Sequence, residues 1–505
     1  MVFMMAEKGG GQSVTVANAW PSIHRDTRVI QHIDNPVMGV YKFCRQLDNR
    51  LTVTLPFMQT TLSSFGNAAA FVALLALAPA SLVAGEFHVA TDGKDTNSGT
   101  PAAPFATVQR AEKSAGPGDT VLIHGGTYKM TEKQIANFGR GRALVIDLTK
   151  SGRPGKPICY FAYASEKPVF DFSDVKPPNY RVTAFNVTGS WLQFKGIEVT
   201  GVQVTITSHT QSICFDNEGD NNIYEQLQMH DGQAIGFWLG GGSDNLVLNC
   251  DSYWNYDFTS ENKKGGNVDG FGFHVPKGCT GNVFRGCRAW FNSDDGFDLI
   301  NTTESLLIEN CWSFYNGFDP SFKGLGDGNG FKLGGYGISG GPVPDVVPRH
   351  VIRQSLAVRN RAAGFYANHQ PGGIDMINNT AYLNSVNFNL LGRNASHTAD
   401  VPGYGHKLKN NLGYKGRSEV ANLDSAKCEL ASNSFDLQLR LSDKDFHSLD
   451  QAELIKPRQP NGDLPVIPFM KLKSGNDVID KGVDVGLPFK GKAPDLGAFE
   501  FGVLK

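Results

Sequence analysis

The chain has 505 residues, 58 of them glycine and only 19% charged, and its 47 basic and 49 acidic side chains leave a formal charge of -2. That balance excludes a nucleic-acid footprint and a basic membrane-binding surface, so any ionic ligand must be met by a local cluster. Abundant glycine, with asparagine recurring at the ends of apolar runs, suits an all-β protein with many tight turns and argues against long helices.

In chain order, the first distinctive segment is AAAFVALLALAPASLVA, Ala68 to Ala84. Its apolar run, internal Pro79 and small terminal residues have the character of a signal-peptide core, so export is expected rather than a membrane anchor. The segment lies far from Met1, which places the expected start of translation at Met58. Residues 1–57 are then a mis-called or disordered extension, 58–84 the signal peptide, 85–400 the catalytic domain and 401–505 C-terminal coils and a capping segment packed on it. Four N-x-S/T triplets, at Asn186, Asn301, Asn378 and Asn394, agree weakly with export. The eight cysteines form no CxxC pair, which leaves zinc and thioredoxin-like chemistry without a foothold.

Beyond Phe87 a short amphipathic helix is expected at about Phe105 to Ser114, followed by a buried strand within GPGDTVLIHGGTY, 116–128. Then a repeat begins: NLVLNCDSYWN (245–255), NVFRGCRAWFN (282–292), LLIENCWSFYN (306–316), HVIRQSLAVRN (350–360) and DMINNTAYLN (375–384). Stacked, these copies make columns. Cys250, Cys287, Cys311, Ser355 and Asn379 share one, Ser252, Ala289, Ser313, Ala357 and Ala381 another, and Asn255, Asn292, Asn316, Asn360 and Asn384 close each copy, spaced 37, 24, 44 and 24 residues apart. A second short strand opening with Gly-Phe accompanies each copy. A period near 24 with insertions fits one coil of a parallel β-helix, in which equivalent residues lie over one another at the ~4.8 Å strand spacing. The cysteine column then reads as core filling and the asparagine column as a hydrogen-bonded stack. Trp254, Trp290, Phe314 and Tyr315 are either core or a substrate platform. The helix near residue 110 is the expected N-terminal cap, and the columns fade after Asn394.

One region breaks the pattern: NVDGFGFHV (267–275), NSDDGFDLI (292–300) and GNGFKLGG (328–335). Aligning the Gly-Phe pairs puts Asp298 and Lys332 in one column, with Gly272 in the coil below, and aligns Asp269 with Asp295. Adjacent coils thus gather Asp269, Asp294, Asp295 and Asp298, with Lys332 one coil beyond. Four carboxylates so close repel one another unless a cation sits between them, and an all-oxygen set points to Ca²⁺ before zinc or magnesium. Lys332 beside them is either a base or the structural partner of Asp298.

At these residues the chain resembles the family 9 polysaccharide lyases, the pectate lyase and rhamnogalacturonan lyase group. DGFGFH, SDDGFDL and GNGFKLGG occur in the family's order, and the resemblance extends from about Phe87 to Phe501. It implies a right-handed parallel β-helix, Asp269, Asp294, Asp295 and Asp298 as Ca²⁺ ligands, and Lys332 as catalytic base. The activity it implies is β-elimination in a uronic-acid-containing pectin, polygalacturonate first and rhamnogalacturonan as the alternative, by a secreted enzyme expected to act as a monomer on an anionic plant cell-wall polysaccharide. Lys323, in the loop between two motifs, is a candidate substrate contact. Rival readings are a polygalacturonase-type hydrolase using paired Asp residues, in which Lys332 has no required role, and a non-catalytic glycan-binding β-helix.

Overall fold

A computed structural model describes residues 84–337 and 341–503. The expected extension 1–57 and, except for Ala84, the expected signal peptide lie outside them. From Glu86 to Ala431 the chain winds through coils of three short strands, and corresponding strands of successive coils pair in parallel to build sheets of 12, 10 and 11 strands. Two antiparallel pairs depart from this, Asn137–Gly139 with Arg142–Leu148 and Leu391–Arg393 with Asp400–Pro402. The architecture is the all-β parallel solenoid read from the repeat. The helix Val108–Ser114, capped by the Thr107 side chain, buries Val108 and Ala111 against the first coil. It begins later than expected because Thr107, not Phe105, supplies the oxygen that receives an otherwise unpaired N–H.

The columns hold residue for residue. Ser252 pairs with Ala289, Ala289 with Ser313, Ser313 with Ala357 and Ala357 with Ala381. Each coil turns twice on the same device: a residue in left-handed backbone followed by a ladder residue. Trp254, Phe291, Tyr315, Arg359 and Leu383 have φ between 47° and 62° and precede the five asparagines. Such a conformation costs a bulky residue about 1–3 kcal/mol. The ladder offsets it: Asn316 Nδ2 donates to Asn360 Oδ1 (3.0 Å), to the Ala289 carbonyl and to Ser313 Oγ, while its own Oδ1 accepts from Asn292. At about 1 kcal/mol net per bond the turn is favourable overall.

The other ladder runs through Cys250, Cys287, Cys311, Ser355 and Asn379 and continues through Asn411 to Asn433. The columns therefore do not end near Asn394, because insertions after that residue lengthen the coil without ending it. No disulfide joins the seven cysteines among the described residues, and the three ladder thiols are buried. The Gly-Phe signature has a steric cause: a Cβ on Gly270, Gly296, Gly330 or Gly364 would meet the ladder asparagine amide at 2.7–2.9 Å. The phenylalanines point inward and stack, Phe271 on Phe297 and Phe297 on Phe331 at 4.8 Å each.

Residues from Phe446 to Leu496 lie on the outer face of the second sheet and bury Trp290, Phe314 and Tyr315 in a second apolar core, while Trp254 remains 44% exposed. The first three aromatics are core and not a platform. Of the N-x-S/T triplets, Asn186 and Asn378 are buried and hydrogen-bonded, to Asp147 and to the Asp495 and Gly497 carbonyls, so neither is open to a glycan. Among the described residues no helix is long and apolar enough to cross a membrane.

Candidate functional site

The third sheet carries the charged cluster on its outer face. The strands Phe271–Phe273, Phe297–Asp298 and Phe331–Lys332 pair in succession, with Gly272 on Asp298 and Asp298 on Lys332. Asp269 and Asp295 stand two residues before their strands at equivalent positions, and Asp269 Oδ1 accepts the Asp295 N–H at 3.1 Å. Carboxylate oxygens of Asp269, Asp295 and Asp298 all lie within 4.8 Å of one another. All three residues are buried. Asp294, the fourth expected ligand, points elsewhere with one oxygen: Oδ1 accepts the Asp327 N–H at 2.7 Å, which anchors the loop 317–328. It is outside the converging three but close enough for its charge to act on Asp269 and Lys332.

Lys332 Nζ donates to Asp298 Oδ2 at 3.2 Å and lies 3.0 Å from Asp295 Oδ2. No donor is aligned on that Asp295 oxygen, although it is fully buried. The other Asp295 oxygen is held by Asn329, through its backbone N–H at 2.6 Å and its side chain at 2.9 Å. Asn329 stands where Asp269 and Asp295 stand in earlier coils, and the same motif, GNGFKLGG, that revealed Lys332 contained it unnoticed. Lys323 is not part of the cluster; its backbone N–H closes a turn on Asp319.

The electrostatics expose an imbalance. Burial, and then the charges of Asp298, Asp294 and Asp295, push Asp269 well above the usual carboxylate range. Burial and the neighbouring Asp295 do the same for Asp294. Asp295 is raised by burial and Asp298 despite the opposing pull of Lys332. For Lys332, burial favours the neutral amine, but the surrounding carboxylates outweigh it and hold the ammonium well above its ordinary pKa. His274, on the neighbouring coil, is pushed down to about 3 by burial and by the Lys332 charge. One ammonium therefore faces more anionic charge than it can balance, with Lys332 Nζ shared between Asp295 and Asp298. That donor set fits a hard divalent cation: Asp269, Asp295 and Asp298 offer oxygen only, which suits calcium and gives zinc no nitrogen or sulfur.

The fold and its family matches class the chain as a polysaccharide lyase of the pectate and rhamnogalacturonan lyase β-helix group. The chain belongs to the Pel9A-like right-handed β-helix family, whose model matches residues 87–411, and residues 424–505 match a model described as rhamnogalacturonan lyase-like, C-terminal. It is 36% identical over 428 residues to pectate lyase L of Dickeya chrysanthemi, covering 82% of this chain and 90% of that one. Among solved structures, a rhamnogalacturonan lyase is 47% identical with a TM-score of 0.75, covering 77% of this chain and 97% of that one. Pectate lyase Pel9A is 33% identical with a TM-score of 0.67, covering 83% of this chain and 98% of that one. The resemblance carried by the three Gly-Phe motifs is thus a true family relation.

Proposed function

We propose that the protein is a secreted, calcium-dependent lyase that cleaves the backbone of a pectic polysaccharide by β-elimination, with rhamnogalacturonan as its preferred substrate and Lys332 as the base. The observation that carries this is the position of Lys332 Nζ, 3.2 Å from one cluster carboxylate and 3.0 Å from another, in a set of acids with excess negative charge. Hydrolysis by paired acids gives that amine no task. The motifs alone rank polygalacturonate first. The 47% identity to a rhamnogalacturonan lyase and the rhamnogalacturonan lyase-like C-terminal region favour the alternating backbone instead.

Bound calcium supplies charge neutralisation for the uronate carboxylate and for the negative charge that grows beside it in the transition state. Asp269, Asp295 and Asp298 hold it, with Asp294 contributing charge. Once the acids are countered, burial is left to act on Lys332 and favours its neutral form. The neutral amine takes the C5 proton of the uronate; the C5–H electron pair becomes the C4=C5 double bond, the C4–O bond to the next sugar breaks, and the leaving oxygen takes a proton from solvent. Asn329 fixes Asp295 through two hydrogen bonds, so the carboxylate keeps its orientation while the amine changes charge.

The test is the ultraviolet absorbance of the unsaturated product, measured on rhamnogalacturonan and on polygalacturonate with added calcium and with chelator. Calcium-dependent absorbance, larger on rhamnogalacturonan, is the expected result. A larger signal on polygalacturonate would restore the pectate reading, which the 36% identity to pectate lyase L supports. New reducing ends without absorbance would replace elimination by hydrolysis.

A further inference from the structure

The outer face of the third sheet aligns Asp216, Trp238, Gly272, Asp298, Lys332 and Tyr366, one residue per coil. The two sides of the cleavage centre differ in chemistry. On the side of the earlier coils Trp238 stacks on His274, with ring centroids 4.0 Å apart and planes 10° from parallel. Gly272 makes room for this pair, because a Cβ there would sit 2.7 Å from Trp238 Cε3. Both rings are half-buried. His274 Nε2 is turned inward and buried, so the pair presents ring surface rather than a polar atom to the outside. The next charge along the column on that side is Asp216, itself near Arg142. On the other side Tyr366 pairs with Lys332 in register, and the nearby Arg393 is already held by Asp400.

We propose that the Trp238–His274 pair is a subsite for a neutral sugar of the polymer, which runs along the helix axis across the outer column with its uronates toward the Lys332 side. This rests on the lyase reading and names what selects an alternating backbone. Aromatic side chains pack against the apolar C–H face of a sugar ring. A uronate at the same place would bring its carboxylate toward Asp216, on which the Glu218 charge already bears and which Arg142 offsets only in part. A chain made only of uronates must place one there. A chain that alternates neutral and acidic sugars need not.

The experiment is steady-state kinetics of Trp238→Ala, Trp238→Phe and His274→Ala on rhamnogalacturonan and polygalacturonate at saturating calcium, with thermal midpoints recorded for each. Trp238→Ala is expected to raise KM on rhamnogalacturonan roughly tenfold, the scale of one lost aromatic contact. The change in kcat should be smaller, and Trp238→Phe should recover most of the KM. His274→Ala should raise KM in the same direction by a smaller factor, so the inference stays testable if Trp238→Ala does not fold. The preference for rhamnogalacturonan over polygalacturonate should narrow in both alanine variants. Unchanged KM in His274→Ala and in whichever Trp238 variants fold would overturn the subsite, as would equal losses on the two polymers. Failure of the unaltered protein to eliminate on either polymer would instead overturn the lyase reading beneath it.

Discussion

Two regions of this molecule bury carboxylates beside cationic side chains, and they do so with opposite balance. On the second sheet Asp251 lies between two guanidiniums, with Arg288 Nη2 at 2.7 Å and Arg458 Nη2 at 2.6 Å. Burial alone would raise its pKa, but Arg458 and then Arg288 outweigh burial and hold it below the ordinary range. On the third sheet the ratio is reversed: Asp269, Asp294, Asp295 and Asp298 share one lysine, and burial together with mutual repulsion raises three of them. The first arrangement is complete in itself and fastens residues 446–496 to the coils. The second lacks positive charge, and that lack marks it as a candidate cation site.

The sharpest way to separate the regions is to remove one cation from each. Lys332→Ala should lower elimination by roughly a thousandfold, within the range a general base contributes, without loss of folding. Absorbance assays at saturating calcium and a thermal melt check both halves. Arg458→Met should leave the chemistry intact and cost about 3 kcal/mol of stability, the scale of breaking a buried ion pair, read by urea unfolding. Because Asp251 is held below its unfolded pKa, its contribution is present above the unfolded value and is lost as pH falls through the folded one. The destabilisation by Arg458→Met should therefore be full at neutral pH and shrink in acid.

A smaller effect sharpens the contrast from the acidic side. Asp298→Asn should weaken calcium binding roughly tenfold or more, since affinity follows ligand charge. It should also reduce the rise in thermal midpoint that calcium gives the unaltered protein. No calcium dependence is expected in the melting of Arg458→Met beyond that of its parent.

Much of this is legible in the sequence. The asparagine and cysteine columns follow directly from the copies of the repeat, because vertical stacking forces like residues into like turns. The pairing of Asp298 with Lys332 followed from aligning Gly-Phe pairs, and the structure explains the alignment: each glycine is pressed against a ladder asparagine and cannot shift. What the sequence left open has a common cause. Alternation shows that Trp290 and Phe314 leave the strand on a particular side, but not that a segment more than 100 residues later covers them. Arg288 and Arg458, 170 residues apart, share Asp251 through the same late segment. Asp294 was grouped with its neighbour Asp295, whereas consecutive residues at a strand entrance point apart, so one of its oxygens serves the loop 317–328. Asn329 carries no distinguishing signal in the sequence, because it is one amide among many in an asparagine-rich solenoid.

The claim on which the rest depends is that the acid cluster controls the charge of Lys332. Without a countercharge the carboxylates hold the ammonium above its usual pKa; with them neutralised, burial pulls the other way. The direct measurement is kcat/KM against pH at several calcium concentrations. Activity should rise with pH as the amine loses its proton, and the midpoint of that rise should move to lower pH as calcium increases. A midpoint that stays fixed at every calcium concentration, or a rise that persists in Lys332→Ala, would contradict it.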